Sequence, residues 1–452
     1  MSIPFARLFA SSITITGVRL AGAAAGFAAQ LVLAKTLGAT DLGLFYAVTS
    51  LVAVLGVLAV QGYPAVTTRF VSRYRERPAR LAGFVASARR HALAGTAVLV
   101  AALVAVALAW PFASSKSRDG LLIGAACLPF LALLGHWAAV AAAYKRFDLA
   151  YIPETLMRPV LFLAGVLTLA AVGGLAGGTV AIALFAAVTA VAAMVQAPLA
   201  ARLMPEAAPE RPPARLTRRW RREARAAVIV ALFVGVFADV AIVLASPLMA
   251  KAETAVFGLC LKLSFLVGFL VQASHHIASP DLADARRSRD AERTRAALRR
   301  AVLLPTAATV AITLGAVVLG DRVLALFGPE FATGTGVLVL LMSAQAVRAI
   351  AGPSVTVLTL AGAQKQNAVL CVVALAVLGV ASVLLVPAYA SLGAATAVLL
   401  ATLAWQLGAA LALRRRGEPG TDLLTLARSR GRMRPSPAEM SAQPRFRTPG
   451  RP

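Results

Sequence analysis

The chain has 452 residues, 59% of them hydrophobic and 14% charged, with a formal net charge of +26. A soluble globular chain carries about 25% charged residues, so this balance excludes an ordinary soluble domain and indicates a polytopic membrane protein. In a soluble chain such positive charge would suggest nucleic acid; here it is confined to a few loops and a tail, where it orients the chain against anionic membrane lipids, and no nucleic-acid partner is expected.

A helix needs about 20 mostly apolar residues to cross a bilayer. Such runs fall at about 9–34, 42–63, 92–112, 120–143, 156–173 and 175–197, then at 226–248, 254–277, 301–319, 332–360, 367–386 and 391–413. Only Arg7 precedes the first run, which is too long for a signal-peptide core and reads as a retained helix. Cys127, Cys260 and Cys371 all lie in apolar runs without CxxC spacing, as small packing residues do.

Between the sixth and seventh runs, Arg202–Arg225 holds eight arginines, three acidic residues and four prolines. The expected organisation is an N-terminal six-helix bundle over 1–200 and a basic cytoplasmic linker over 201–225. A C-terminal six-helix bundle over 226–413 and a disordered basic cytoplasmic tail over 414–452 follow. Within the linker, Leu216 and Trp220 suit a short interfacial helix dipping into lipid.

Lys and Arg divide unevenly between the loops, 37 on the side of both termini against five on the other, Lys35, Lys116, Arg118, Lys251 and Arg322. The positive-inside rule therefore places both termini in the cytoplasm, with an even number of spans. Shifting the chain by 215 residues lays Gly43–Val52 over Gly258–Val267, with Gly43/Gly258 and Leu51–Val52/Leu266–Val267 coinciding. The fold class expected is all-α and polytopic, about 12 transmembrane helices in two six-helix bundles related by a pseudo-two-fold axis.

Leu37–Tyr74 resembles the second-helix region of polysaccharide-transporter flippases, and Leu326–Leu370 with Val386–Ala397 resembles their C-terminal half. That family belongs to the multidrug/oligosaccharidyl-lipid/polysaccharide exporter superfamily. The resemblance covers roughly residues 1–413 and rests on hydrophobic patterns with a few fixed glycines and prolines, so it implies little about the substrate. It implies two bundles around a central cavity that opens alternately to each side.

A charge at bilayer depth costs about 2.5–3.5 kcal/mol on insertion scales and normally faces a cavity or a partner. Four stand out. Arg19 lies on a stripe with Ser12, Thr16, Gly26 and Gln30; it reads as a phosphate contact or as an interhelical salt bridge. Asp239 lies in the repeat mate of the first helix and is expected to balance charge, facing Arg19 across the pseudo-axis, or to couple H+ or Na+. Lys262 shares a face with Gly258, Phe265, Phe269, Gln272 and His276, a mixture suited to a lipid-linked sugar; snorkelling is the alternative. Arg348 lies near Gln345, Gly352, Thr356 and Thr359, with Pro353 expected to kink its helix.

Arg69, Arg73 and Arg158 are expected at the cytoplasmic mouth, receiving a phosphate or simply anchoring the chain. His136 beside Trp137 reads as a packing residue, and His275 and His276 make a poor chelate, so no metal is expected. No P-loop, GxSxG or HExxH is present, so no enzyme activity and no cofactor is expected, and transport would draw on ion or substrate gradients.

These features lead to a flippase of a bacterial plasma membrane. It would move a polyprenyl-pyrophosphate-linked oligosaccharide outward for cell-surface polysaccharide synthesis, with Arg19, Lys262, Arg348, Gln30, Gln272 and Gln345 lining the lumen. A monomer working beside a glycan polymerase and glycosyltransferases is expected. The alternatives are an ion-coupled multidrug or small-molecule exporter and a non-transporting scaffold for glycan synthesis.

Overall fold

The computed structural model describes residues 5–109, 114–204, 206–208, 210, 212–288, 291–417, 420–423 and 425. All regular structure among them is helical. The order is α1 (Phe5–Ala59), α2 (Tyr63–Tyr74), α3 (Pro78–Ala109), α4 (Ser115–Ala143), α5 (Phe147–Ile152), α6 (Arg158–Ala171) and α7 (Gly178–Ala201), then α8 (Ala214–Ala245), α9 (Lys251–Arg287), α10 (Ala291–Ala325), α11 (Thr335–Ala351), α12 (Ser354–Leu360) and α13 (Gln364–Arg415).

Ten helical segments among the described residues are long and apolar enough to cross a membrane. Two of them cross twice. The first limb of α1 ends at Gly38, whose φ of 69° and ψ of 170° no helix contains, and glycine adopts such angles without steric penalty. Reversal is proved by Tyr46 Oη donating to Gln30 Oε1 at 2.7 Å across 16 residues, a separation of about 24 Å along a straight helix. In α13 the break falls at Ala390, with φ 46°, and Arg416 Nε then meets Gln366 Oε1 at 2.8 Å. The expected polytopic, all-helical architecture is therefore the one observed, with the two hairpins completing twelve passages.

The first half packs α3, α4, α6 and α7 around the second limb of α1, and the second half packs α9, α10, α11 and α13 together. Helices α1, α8 and α9 form the seam between them. Gly43 and Gly258, the pair that coincides in the 215-residue shift, both open this seam: the Gly43 backbone rides on the Lys251 carbonyl, and Gly258 lies against the Tyr46 ring. At the end away from the arginine-rich loops Lys251 Nζ donates to Ser117 Oγ at 2.7 Å and Phe27 meets Phe327 edge-on at 5.7 Å, while at the arginine-rich end α8 meets α2. We call the former the far end and the latter the basic end.

Three expectations change. The fifth span begins at Phe147 rather than near 156, because a single π turn over Pro153–Met157 joins α5 to α6 instead of ending the helix. The linker expected over 201–225 is helical from Ala214, where it forms the start of α8, continuous with the seventh span. Trp220 does not dip into lipid. It is fully buried against Phe70, Tyr74 and Phe84, and its Nε1 donates to Tyr74 Oη at 3.1 Å. Protein rather than lipid covers it because α2 and the start of α3 supply an aromatic pocket at the basic end.

At the other end of the sequence the tail begins with a packed stretch. The helix breaks at Gly352, φ 67°, beside the expected kink at Pro353. That break leaves the Ala351 carbonyl without an intrahelical partner. Thr421 Oγ1, buried at 2% exposure, donates to it at 2.9 Å. The remainder of the tail, 426–452, lies outside the described residues.

Candidate functional site

Lys262 lies 11 residues from the far-end start of α9, about 16 Å along the helix axis and thus deep in the span. With Gln30, Gly26 and Phe27 of the first limb of α1 it lines a cavity of about 220 Å³. Its Nζ sits over the Tyr46 ring at 5.2 Å from the centroid, and no described carboxylate lies within ion-pair distance of it. A ring face holds a desolvated ammonium by about 2 kcal/mol and leaves its hydrogens free for a ligand.

Asp239 on α8 accepts a hydrogen bond from Ser50 Oγ of the second limb of α1 at 2.9 Å. The cations whose charge reaches it are Lys262 and Arg158. Arg19 is not its partner. The guanidinium of Arg19 instead lies between the Tyr151 ring at 5.9 Å and the Phe269 ring at 5.8 Å, bridging α5 of the first half and α9 of the second. Gly22, one turn further on, lets α1 press on the Thr155 carbonyl within the π turn, the kind of helix irregularity that recurs at functional sites.

Arg348 Nη1 donates to Gln345 Oε1 at 2.9 Å, so these two expected lumen residues form one unit. Gly268 of α9 makes room for them, since a Cβ there would meet Gln345 Oε1 at 2.5 Å. Gln272 is exposed.

The three arginines expected at the mouth separate. Arg69 forms an ion pair with Glu223, which also accepts from Arg219 Nε at 2.9 Å; Arg73 is exposed on α2. Both belong to the basic-end cap around Trp220. Arg158 does not lie at the mouth. With the fifth span beginning at Phe147, it falls 11 residues inside, its guanidinium 5.5 Å from the Phe185 ring centroid and its charge within reach of Asp239. His136 is buried with its ring edge-on to Trp137 at 5.2 Å, as a packing residue would be.

Residues that the sequence did not single out complete the site. Tyr46 and Ser50 lie one turn apart on one face, and that polar pair within an apolar helix was the available signal. Glu154 joins the span through the π turn and is half-buried. The result is four basic groups at depth, Arg19, Arg158, Lys262 and Arg348, against the carboxylates of Asp239 and Glu154. None of the four is ion-paired among the described residues; rings and amides hold them. Such a set is disposed to take up an anion with several oxygens, because guanidinium and ammonium donors remain unspent.

No protein-family model matches the chain, and no curated protein matches it in sequence. Solved structures do match in fold. A structure of the lipid II flippase MurJ in an inward closed conformation superposes with a TM-score of 0.72 at 13% identity, over 89% of this chain and 87% of that one. An inward-facing multidrug-resistance transporter of the MATE family, of the MOP superfamily, gives 0.67 at 11% identity, over 92% and 99%. An outward-facing structure of a MATE family transporter gives 0.53 at 14% identity, over 89% and 96%. The protein is thus a multi-pass membrane protein with a transporter fold. Within that class, its fold is the one found in those structures of a lipid II flippase and of MATE family transporters.

Proposed function

We propose that this protein carries a polyprenyl-pyrophosphate-linked oligosaccharide from the cytoplasmic to the outer leaflet of a bacterial plasma membrane by alternating access. The observation that carries the proposal is the set of four unpaired cations at membrane depth, Arg19, Arg158, Lys262 and Arg348, on both sides of the seam. Each costs about 2.5–3.5 kcal/mol to insert, and a pyrophosphate entering between the halves offsets that cost. With the basic end facing the cytoplasm on the positive-inside rule, cargo would enter from that end. An inside-negative potential then favours outward movement of an anion, by about 2.3 kcal/mol per charge per 100 mV.

Asp239 offsets part of the positive charge around Lys262 while the site is empty, and protonation or binding of a cation there would leave the site more attractive to an anion. Its presence also favours the second reading, an ion-coupled exporter of small molecules, because a buried carboxylate is what a cationic drug would seek. The two are separated in proteoliposomes by offering a fluorescent pyrophosphate lipid and a lipophilic cation. The first reading requires that the lipid be flipped and that Arg19→Ala, Lys262→Ala and Arg348→Ala each abolish flipping while the protein stays in the membrane.

A further inference from the structure

Tyr46 touches both polar groups of the Gln30–Lys262 cavity and yet lines none of it. It is fully buried on the second limb of α1, behind the cavity wall. Its hydroxyl reaches Gln30 Oε1 at 2.7 Å, its ring lies beneath Lys262 Nζ at 5.2 Å, and Gly258 holds the ring in place, since a Cβ at that position would come to 2.5 Å from Cδ2. One side chain therefore sets the orientation of two others that belong to different helices and different halves of the chain.

The direction of the Tyr46–Gln30 bond decides the polarity of the cavity. A phenol carries one hydrogen, and this hydroxyl has no other partner among the described residues. Left unspent in a dry interior, that hydrogen would lose its full solvation, so the hydroxyl donates and the Gln30 carbonyl oxygen accepts. The amide is then fixed, and its two N–H groups remain for the cavity. Lys262 adds an ammonium that faces no described carboxylate within ion-pair distance. The other lining residues, Ala23, Gly26, Phe27, Leu259, Leu263 and Leu266, bring no side-chain acceptor. The cavity presents donors only.

We propose that Tyr46 is a positioning residue that makes this cavity selective for anionic oxygens, a phosphate or pyrophosphate group, and closed to cations. The inference rests on the reading of the protein as a transporter of anionic lipid-linked cargo and assigns the polarity of that site to a residue outside it. Were the hydroxyl absent, the amide could turn and offer its oxygen, placing an acceptor beside Lys262 and withdrawing the amide donors from the anion.

The test uses the purified full chain in lipid nanodiscs, with inorganic pyrophosphate and tetraphenylphosphonium as probes in a calorimetric binding assay. Tyr46→Phe keeps the ring under Lys262 and the packing against Gly258, so an unchanged thermal midpoint checks that the fold survives. The expected result is a loss of pyrophosphate affinity of about tenfold in Tyr46→Phe. The same substitution made in a Gln30→Leu background should lose nothing further, which a merely structural tyrosine would not show. Wild-type affinity in Tyr46→Phe, or an equal loss in both backgrounds, overturns the positioning role alone. Failure of the wild type to bind pyrophosphate, with binding of the phosphonium cation, overturns both this inference and the anionic reading.

Discussion

The bond between Ser50 and Asp239 joins the second limb of α1 to α8 at 2.9 Å, and therefore joins the two halves. If the halves part at the far end during transport, the bond exists only in the closed form. A hydrogen bond to an ionised group contributes about 1.5–3 kcal/mol, so Ser50→Ala should lower the closed-to-open ratio by about tenfold to 150-fold. Asp239→Asn retains an acceptor for the hydroxyl and should shift the ratio less, a neutral bond contributing about 0.5–1.5 kcal/mol. The readout is the distance distribution between spin labels attached through Arg118→Cys and Arg322→Cys, in the first turn of α4 and the last turn of α10. The native Cys127, Cys260 and Cys371 are all buried and should escape labelling. Ser50→Ala should populate a longer distance that is rare in the parent protein. Superimposable distributions for the parent and both variants would refute the assignment of this bond as a closure contact.

Two further outcomes follow from the same geometry. Trp220→Ala removes the central side chain of the basic-end cap and should cost about 3–5 kcal/mol, seen as accelerated amide exchange in α2 and at the start of α3, with the far-end helices unaffected. Arg158→Ala should abolish transport although its position near Pro153 and Pro159 resembles a loop, whereas Arg73→Ala, exposed on α2, should leave transport near the parent rate.

The spans were legible because apolar runs of bilayer length announce themselves, and the seam glycines because the two repeats align on them. The fifth span was cut short for an equally physical reason. Pro153 and Pro159 are ordinarily helix boundaries, and no sequence signal says that a π turn will carry the helix through. That one misplaced boundary is what sent Arg158 to the mouth and hid Glu154. The lipid-facing reading of Trp220 failed similarly, since an amphipathic segment buries its apolar face against whichever surface is nearer, and α2 supplied it. Arg19, Lys262 and Arg348 were legible as candidates because a charge inside an apolar run is conspicuous. Gln345 was legible beside Arg348, but Tyr46, Ser50 and Tyr151 are ordinary membrane-helix residues until the fold brings them beside a charge. For the same reason the pairing expected between Arg19 and Asp239 gave way to ring faces for one and a serine for the other.

The central claim is that cations at membrane depth receive an anionic lipid-linked substrate. The most direct measurement is the rate at which proteoliposomes move a polyprenyl-pyrophosphate-linked oligosaccharide between leaflets, comparing the parent chain with one carrying Arg19→Ala, Lys262→Ala and Arg348→Ala together. The account predicts protein-dependent movement in the parent and none above lipid-only vesicles in the triple variant. Equal rates in the two proteins, or a parent that exports a lipophilic cation while leaving the pyrophosphate lipid in place, would contradict it.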